Sequence, residues 1–234
     1  MSDFRNEAKV EWNIRHISTS EGCKNYIYNK YSKGCDSMKI GVDCDGVLTD
    51  MSKYIFKYGE IWFKRKPDNP DGYSTAEIFG CTDKEELRFG LRYFFTYCKK
   101  WPPRADAVRI NNILIDNGHQ LYEITARKFV TAKNPLGWYS KHLIKKWLKK
   151  YGFIFNEIYY CSESHSPADK LDACRELQVD VMIDDKPEVA LHLAENGIKV
   201  LLFDTRYNQK IEHDNIVRVY NWIDIYEKIK ELSN

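Results

Sequence analysis

Asp43 and Asp45 close a short apolar run, Met38-Lys39-Ile40-Gly41-Val42, and are followed by Gly46, Thr49 and Asp50. In a strand, residues two apart point to the same face, so both carboxylates fall on one side. Two unit charges ~4 Å apart cost roughly 4 kcal/mol at an effective dielectric of about 20, which folding alone does not justify. A bound cation would remove that repulsion. Taken alone, an Asp-x-Asp pair is more often an acidic turn after a strand. Further polar groups stand at other expected strand ends: Thr125, and Asp184 with Asp185.

The elements that must position these groups alternate regularly in the second half of the chain. Helices are expected over Ala105–Asn117, from about Leu136 to Tyr151, from Ser166-Pro167 onward, over Pro187–Asn196 and over Asp224–Leu232. Strands are expected at Gln120–Thr125, Glu157–Cys161, Val179–Ile183, Ile198–Phe203 and Ile216–Val219. Gly118, Gly152 and Gly197 supply helix stops, and Pro167 suits a first helical turn. Such alternation implies an α/β fold, a Rossmann-like parallel sheet with helices on both faces. Ligands in these sheets bind outside the carboxyl ends of the strands, where the polar residues gather.

Between the first strand and this core the pattern changes. Met51–Phe63 has helical spacing, a charged loop follows from Lys64 to Gly72, and Thr82 with Glu85 forms a capping-box signature. The helix it opens carries Leu87, Leu91, Phe94 and Phe95, and Trp101-Pro102-Pro103 ends the section. The expected organisation is an N-terminal extension over 1–37, a catalytic core over 38–50 and 104–234, and a small helical cap over 51–103.

The totals exclude several classes. A formal charge of +2 argues against a nucleic acid polymer as partner. Seven cysteines, without a paired C-x-x-C or a zinc spacing, read as reduced thiols in a cytoplasmic protein. No apolar run reaches the ~18 residues a membrane helix needs, and the first thirty residues do not resemble a signal peptide. A hydrophobic content of 43% supports a core without disulfides.

Asp43-x-Asp45-Gly46-x-x-Thr49, Ile124-Thr125-Ala126-Arg127, Lys170 and Ile183-Asp184-Asp185, in this order, resemble the four motifs of the haloacid-dehalogenase-like (HAD) hydrolases. The combination with Lys186-Pro187 is most similar to the 5'(3')-deoxyribonucleotidase branch and its bacterial nucleotidase relatives. The resemblance implies a phosphomonoesterase with an aspartyl-phosphate intermediate. Asp43 would be the nucleophile and Asp45 the acid, then the base, while Thr125, Ala126 and Lys170 would bind phosphate. Mg2+ would be held by Asp43, the backbone carbonyl of Asp45, Asp184 and, through water, Asp185.

Lysine assignment is the least constrained: Lys128 and Lys133 compete with Lys170. Arg127 and Lys128 fit either substrate contacts or a basic loop. Among the aromatic residues of the cap, Phe56, Trp62, Phe63, Tyr73 and Phe94 suit stacking on a base or packing of the cap's own core. The expected partner is a small phosphorylated metabolite, foremost a nucleoside monophosphate. A sugar or polyol phosphate is the alternative, and a binding protein without turnover is a third.

Overall fold

The computed structural model describes residues 36–234; most of the expected N-terminal extension lies outside the described residues. Six strands form one wholly parallel sheet in the order β3-β2-β1-β4-β5-β6. They are β1 (Lys39–Val42), β2 (Gln120–Thr125), β3 (Glu157–Tyr160), β4 (Val181–Asp184), β5 (Lys199–Phe203) and β6 (Ile216–Val219). After β1 the chain builds β2 and β3 on one side, then crosses back to lay β4 on the other. The crevice between β1 and β4 is therefore the switch point in strand order. Ile40 pairs with Leu121 on one side and Val181 on the other.

Parallel strands buried on both faces need apolar residues of both parities. Ile40, Val42, Leu121, Val181, Ile183 and Leu201 pack on one face, under the helices α4 (Ala107–Asp116), α5 (Pro135–Tyr151) and α8 (Trp222–Leu232). Ile124, Met182, Val200 and Leu202 pack on the other, under α6 (Ser166–Leu177) and α7 (Pro187–Glu195). Gly41 is the exception in β1, and its lack of a side chain is structural. A Cβ there would lie 2.6 Å from Met182 Sδ and 3.0 Å from Ile124 Cδ1.

Three helices stand between β1 and α4: α1 (Met51–Phe63), α2 (Thr75–Phe79) and α3 (Asp83–Lys100). Asp50 caps α1 by accepting from the Lys53 amide at 2.9 Å, and it pairs with Arg104 at 3.2 Å. The capping box of Thr82 and Glu85 opens α3 as the sequence signature indicates. Helical spacing alone does not show which face of α3 is buried. Leu87 and Leu91 are 58% and 60% exposed, and Phe89, Tyr97 and Cys98 are buried instead. The helix turns those three toward α1 and α5, where Tyr54 and Leu143 join the same cluster as Tyr97 and Cys98.

Two boundaries move for identifiable reasons. The fourth strand starts at Val181 because the Asp180 carboxylate, just before it, accepts from the Lys39 amide at 2.7 Å. The last helix starts at Trp222 because Asn221 caps the amides of Ile223 and Asp224. Among the described residues, no helix is long and apolar enough to cross a membrane.

Candidate active site

Asp43 leaves β1 into a turn in which Gly46 adopts φ +98°, a conformation that a side chain disfavours. A Cβ on Gly46 would also collide with the Asp185 carboxylate. The glycine thus lets the end of β4 close against the loop after β1. Asp43, Asp184 and Asp185 are buried, and each offers a carboxylate oxygen within 4.8 Å of the others.

Lys170, buried in the first turns of α6, places its ammonium 2.5 Å from Asp43 Oδ1 and 2.6 Å from Asp184 Oδ2. Burial disfavours its charge, but Asp184 and Asp43 more than offset this and hold it well above the usual lysine range. The competing lysines pair with none of these three carboxylates. Lys128 is half exposed and lies 3.8 Å from Glu163, and Lys133 is exposed.

Three carboxylates facing one ammonium leave the cluster short of positive charge. Burial, with Asp184 and Asp45 nearby, pushes the Asp43 carboxyl up to about 7 despite Lys170. Burial with Asp43 and Asp184 likewise raises Asp185, although the Tyr207 hydroxyl donates to it. An all-oxygen donor set with unbalanced negative charge suits a hard divalent cation.

Asp45 has different surroundings. Arg127 donates from Nε to Oδ2 at 2.9 Å and from Nη2 to Oδ1, and the Tyr97 hydroxyl donates to Oδ1 at 2.6 Å. Burial works against its charge, yet Arg127 and Tyr97 more than offset this and lower its carboxyl below the usual range. Two carboxylates separated by a single residue are therefore pushed in opposite directions, Asp43 by desolvation and Asp45 by a guanidinium fork. Arg127 itself is buried, with its other contacts going to the sulfurs of Cys44 and Cys98.

These groups open on a cavity of about 370 Å³. Its floor includes Asp43, Asp45, Thr125, Ala126, Lys170, Asp184 and Asp185, and Arg127 and Lys128 reach its side. Helices α1 to α3 and the loop before α2 supply the opposite wall, with Tyr54, Tyr73, Phe89, Tyr93, Phe94 and Tyr97. Of the aromatic candidates, Tyr73 and Phe94 line it. Phe56, Trp62 and Phe63 do not: Phe63 stacks on Phe79 at 5.0 Å, and Trp62 packs edge-on against Tyr93 at 6.0 Å.

Tyr97 and Tyr207 escaped the sequence reading. Each touches a site carboxylate from an element remote in the chain, and nothing local marks either among sixteen tyrosines. Lys186 is also in the wall, and the Asp-Asp-Lys-Pro run was a usable signal for it.

No family model matches the chain. A nucleotidase from Clostridium acetobutylicum is 26% identical over 199 residues, covering 84% of this chain and 96% of that protein. Two solved structures share the fold. One is a HAD-superfamily hydrolase, subfamily IA, from Geobacter sulfurreducens, with a TM-score of 0.56 at 13% identity, covering 84% of this chain and 98% of that one. The other is the D,D-heptose 1,7-bisphosphate phosphatase of B. bronchiseptica, complexed with magnesium and phosphate. It has a TM-score of 0.51 at 14% identity, covering 83% and 99% of the two chains.

Proposed function

We propose that this chain, a haloacid-dehalogenase-like hydrolase acting on phosphoric monoesters, removes phosphate from nucleoside monophosphates through a covalent intermediate on Asp43. The observation that carries the reading is the division of labour at the end of β1. Asp43 is paired with Lys170, Asp45 is held separately by Arg127 and Tyr97, and both face one cavity.

In the first step a carboxylate oxygen of Asp43 bonds to phosphorus and the bond to the ester oxygen breaks. Asp45, in its acid form, passes its proton to that oxygen, and the alcohol leaves. In the second step water bonds to phosphorus, the Asp43 oxygen departs, and Asp45 takes the proton of the water. Inorganic phosphate leaves, and the Asp43 carboxylate and the acid form of Asp45 are restored. Lys170 orients Asp43 and offsets charge on the phosphate oxygens, and Thr125 with the backbone of Ala126 holds those oxygens from the end of β2. A magnesium ion held by Asp43, Asp184, Asp185 and the Asp45 carbonyl would neutralise phosphate charge during attack by an anion.

Residues 51–103 act as the cap in this reading. Their aromatic wall over the carboxylates suits a flat base and excludes water. The Clostridium nucleotidase supports the nucleotide assignment. Ser74, Thr75 and Glu86 in the same wall favour a second reading, a sugar or polyol phosphate, because they offer partners to hydroxyls. Phosphate release from a panel of nucleotides and sugar phosphates, with and without chelator, tests both. Faster turnover of nucleotides is expected. A preference for polyol phosphates selects the second reading, and no magnesium-dependent release from any compound sinks both.

A further inference from the structure

Asp45 accepts more hydrogen bonds than any other carboxylate lining the cavity, and its partners come from two separate parts of the chain. Arg127 follows β2, and its guanidinium engages both carboxylate oxygens. Tyr97 lies in the last turns of α3, fifty-two positions from Asp45, and donates to Oδ1. The two partners also touch each other, since the Arg127 guanidinium lies 5.3 Å from the centre of the Tyr97 ring. Tyr97 is itself fixed: its hydroxyl lies 2.5 Å from that of Thr49, and its ring packs against Tyr54 at 4.9 Å.

We propose that Tyr97 and Arg127 are positioning residues for proton transfer by Asp45, and that Tyr97 makes the acid's placement depend on the helical segment 51–103. The proposal rests on the assignment of Asp45 as acid and base. The χ2 angle of an aspartate is broadly distributed, and the residue after Asp45 in its turn is Gly46, which has no side chain to brace it. The guanidinium fork sets the plane of the carboxylate, and the phenol fixes which oxygen is engaged on the side of α3. Arg127 thereby leaves the list of substrate contacts: its nitrogen atoms are spent on Asp45 and on the sulfurs of Cys44 and Cys98.

Protonation of the leaving oxygen matters for an alkyl ester and hardly at all for p-nitrophenyl phosphate, whose leaving group is already a stable anion. This contrast separates positioning of the acid from general damage. Three variants are compared by steady-state kinetics on a nucleoside monophosphate and on p-nitrophenyl phosphate: Asp45→Asn, Tyr97→Phe and Arg127→Lys. Tyr97→Phe keeps the ring and its packing, and Arg127→Lys keeps the charge. A complete general acid contributes about 10²–10⁴-fold, so loss of one positioning contact is expected to lower kcat/KM for the nucleotide about 10-fold. The fall in kcat/KM with p-nitrophenyl phosphate is expected to stay under about 3-fold, because kcat/KM covers the steps up to departure of the alcohol and not the water attack that both esters share.

An equal fall on both esters, or none on either, overturns the positioning role. If Asp45→Asn loses nucleotide turnover while Tyr97→Phe and Arg127→Lys do not, the positioning role alone is wrong. If Asp45→Asn itself turns over the nucleotide normally, the assignment of the acid fails and takes this proposal with it. Folding of each variant is checked by thermal melting, and Tyr97→Phe carries the test should Arg127→Lys not fold.

Discussion

Lys170 Nζ lies 2.5 Å from Asp43 Oδ1, although 127 positions separate the two residues. The contact is buried, and the same ammonium reaches Asp184 fourteen positions ahead of it. Removing one member of a buried ionic group leaves the others uncompensated, at a cost of about 3–5 kcal/mol. Lys170→Met is therefore expected to lower the melting temperature and to reduce kcat by about 100-fold or more. Circular dichroism and phosphate release check the two effects, and near-normal turnover would remove Lys170 from the site.

A divalent cation would relieve the same imbalance from the other side. Stability should rise with magnesium concentration, by about 2.7 kcal/mol at a hundred times the dissociation constant. Asp184→Asn removes one of the three clustered carboxylates and should weaken this response. Melting curves across a magnesium titration, with chelator as baseline, provide the measurement. Identical curves with metal and chelator would count against the cation.

Glu123 gives a pH prediction independent of catalysis. It lies wholly inside β2, and both carboxylate oxygens lack a hydrogen-bond partner. Burial, partly countered by Arg127, raises its carboxyl from 4.5 to about 8. Between those values the native state keeps the proton while the unfolded chain has released it. Stability therefore falls as pH rises through this window, by up to about 1.4 kcal/mol per unit. Glu123→Gln should flatten the fall, leaving the slope contributed by Asp43 and Asp185. Melting temperatures at pH 5 and pH 8 decide it, since an unchanged slope would contradict the buried proton.

Gly46→Ala combines two penalties. The backbone is at φ +98°, and the new methyl group would meet the Asp185 carboxylate. A residue held in a disfavoured conformation costs on the order of 1–3 kcal/mol, before the displacement of Asp185 is added. The variant is expected to melt lower and to respond less to magnesium than the parent. A normal magnesium response would show that Asp185 tolerates displacement.

Phe94 and Trp62 separate the cavity wall from the packing behind it. A ring contact is worth about 0.5–1.5 kcal/mol, so Phe94→Ala should raise KM for nucleotides up to about 10-fold. Trp62→Ala should leave KM unchanged, because Trp62 packs on Tyr93 outside the cavity. Equal effects from the two would place the base elsewhere.

The local features were legible in the sequence. Met51–Phe63, Gln120–Thr125 and Ile216–Val219 have the expected bounds, and Thr82 caps α3 with Glu85. Each depends on periodicity or on a contact within a few residues. The carboxylates and Lys170 were legible because they sit at strand ends and a helix start, which parallel topology gathers on one edge. The misses are long-range. Leu87 and Leu91 satisfy helical spacing, but which stripe of α3 is buried depends on packing against α1 and α5. The hold of Tyr97 and Arg127 on Asp45 joins positions 52 and 82 apart, and no pattern within α3 reveals it.

The central place of β1 has a consequence for how the protein is made. Its two hydrogen-bonding edges are completed by β2 and by β4, so Val42 must wait for both Glu123 and Ile183. At ribosomal speeds of about 5–20 residues per second, roughly 7 to 30 seconds separate synthesis of β1 from that of β4. During that interval the apolar strand carrying Asp43 has an open edge, the kind of surface that invites pairing with another chain. Contacts of such long sequence separation also slow folding. The strand that leads into Asp43 emerges among the first elements of the sheet, and it is enclosed only after β4 has been synthesised.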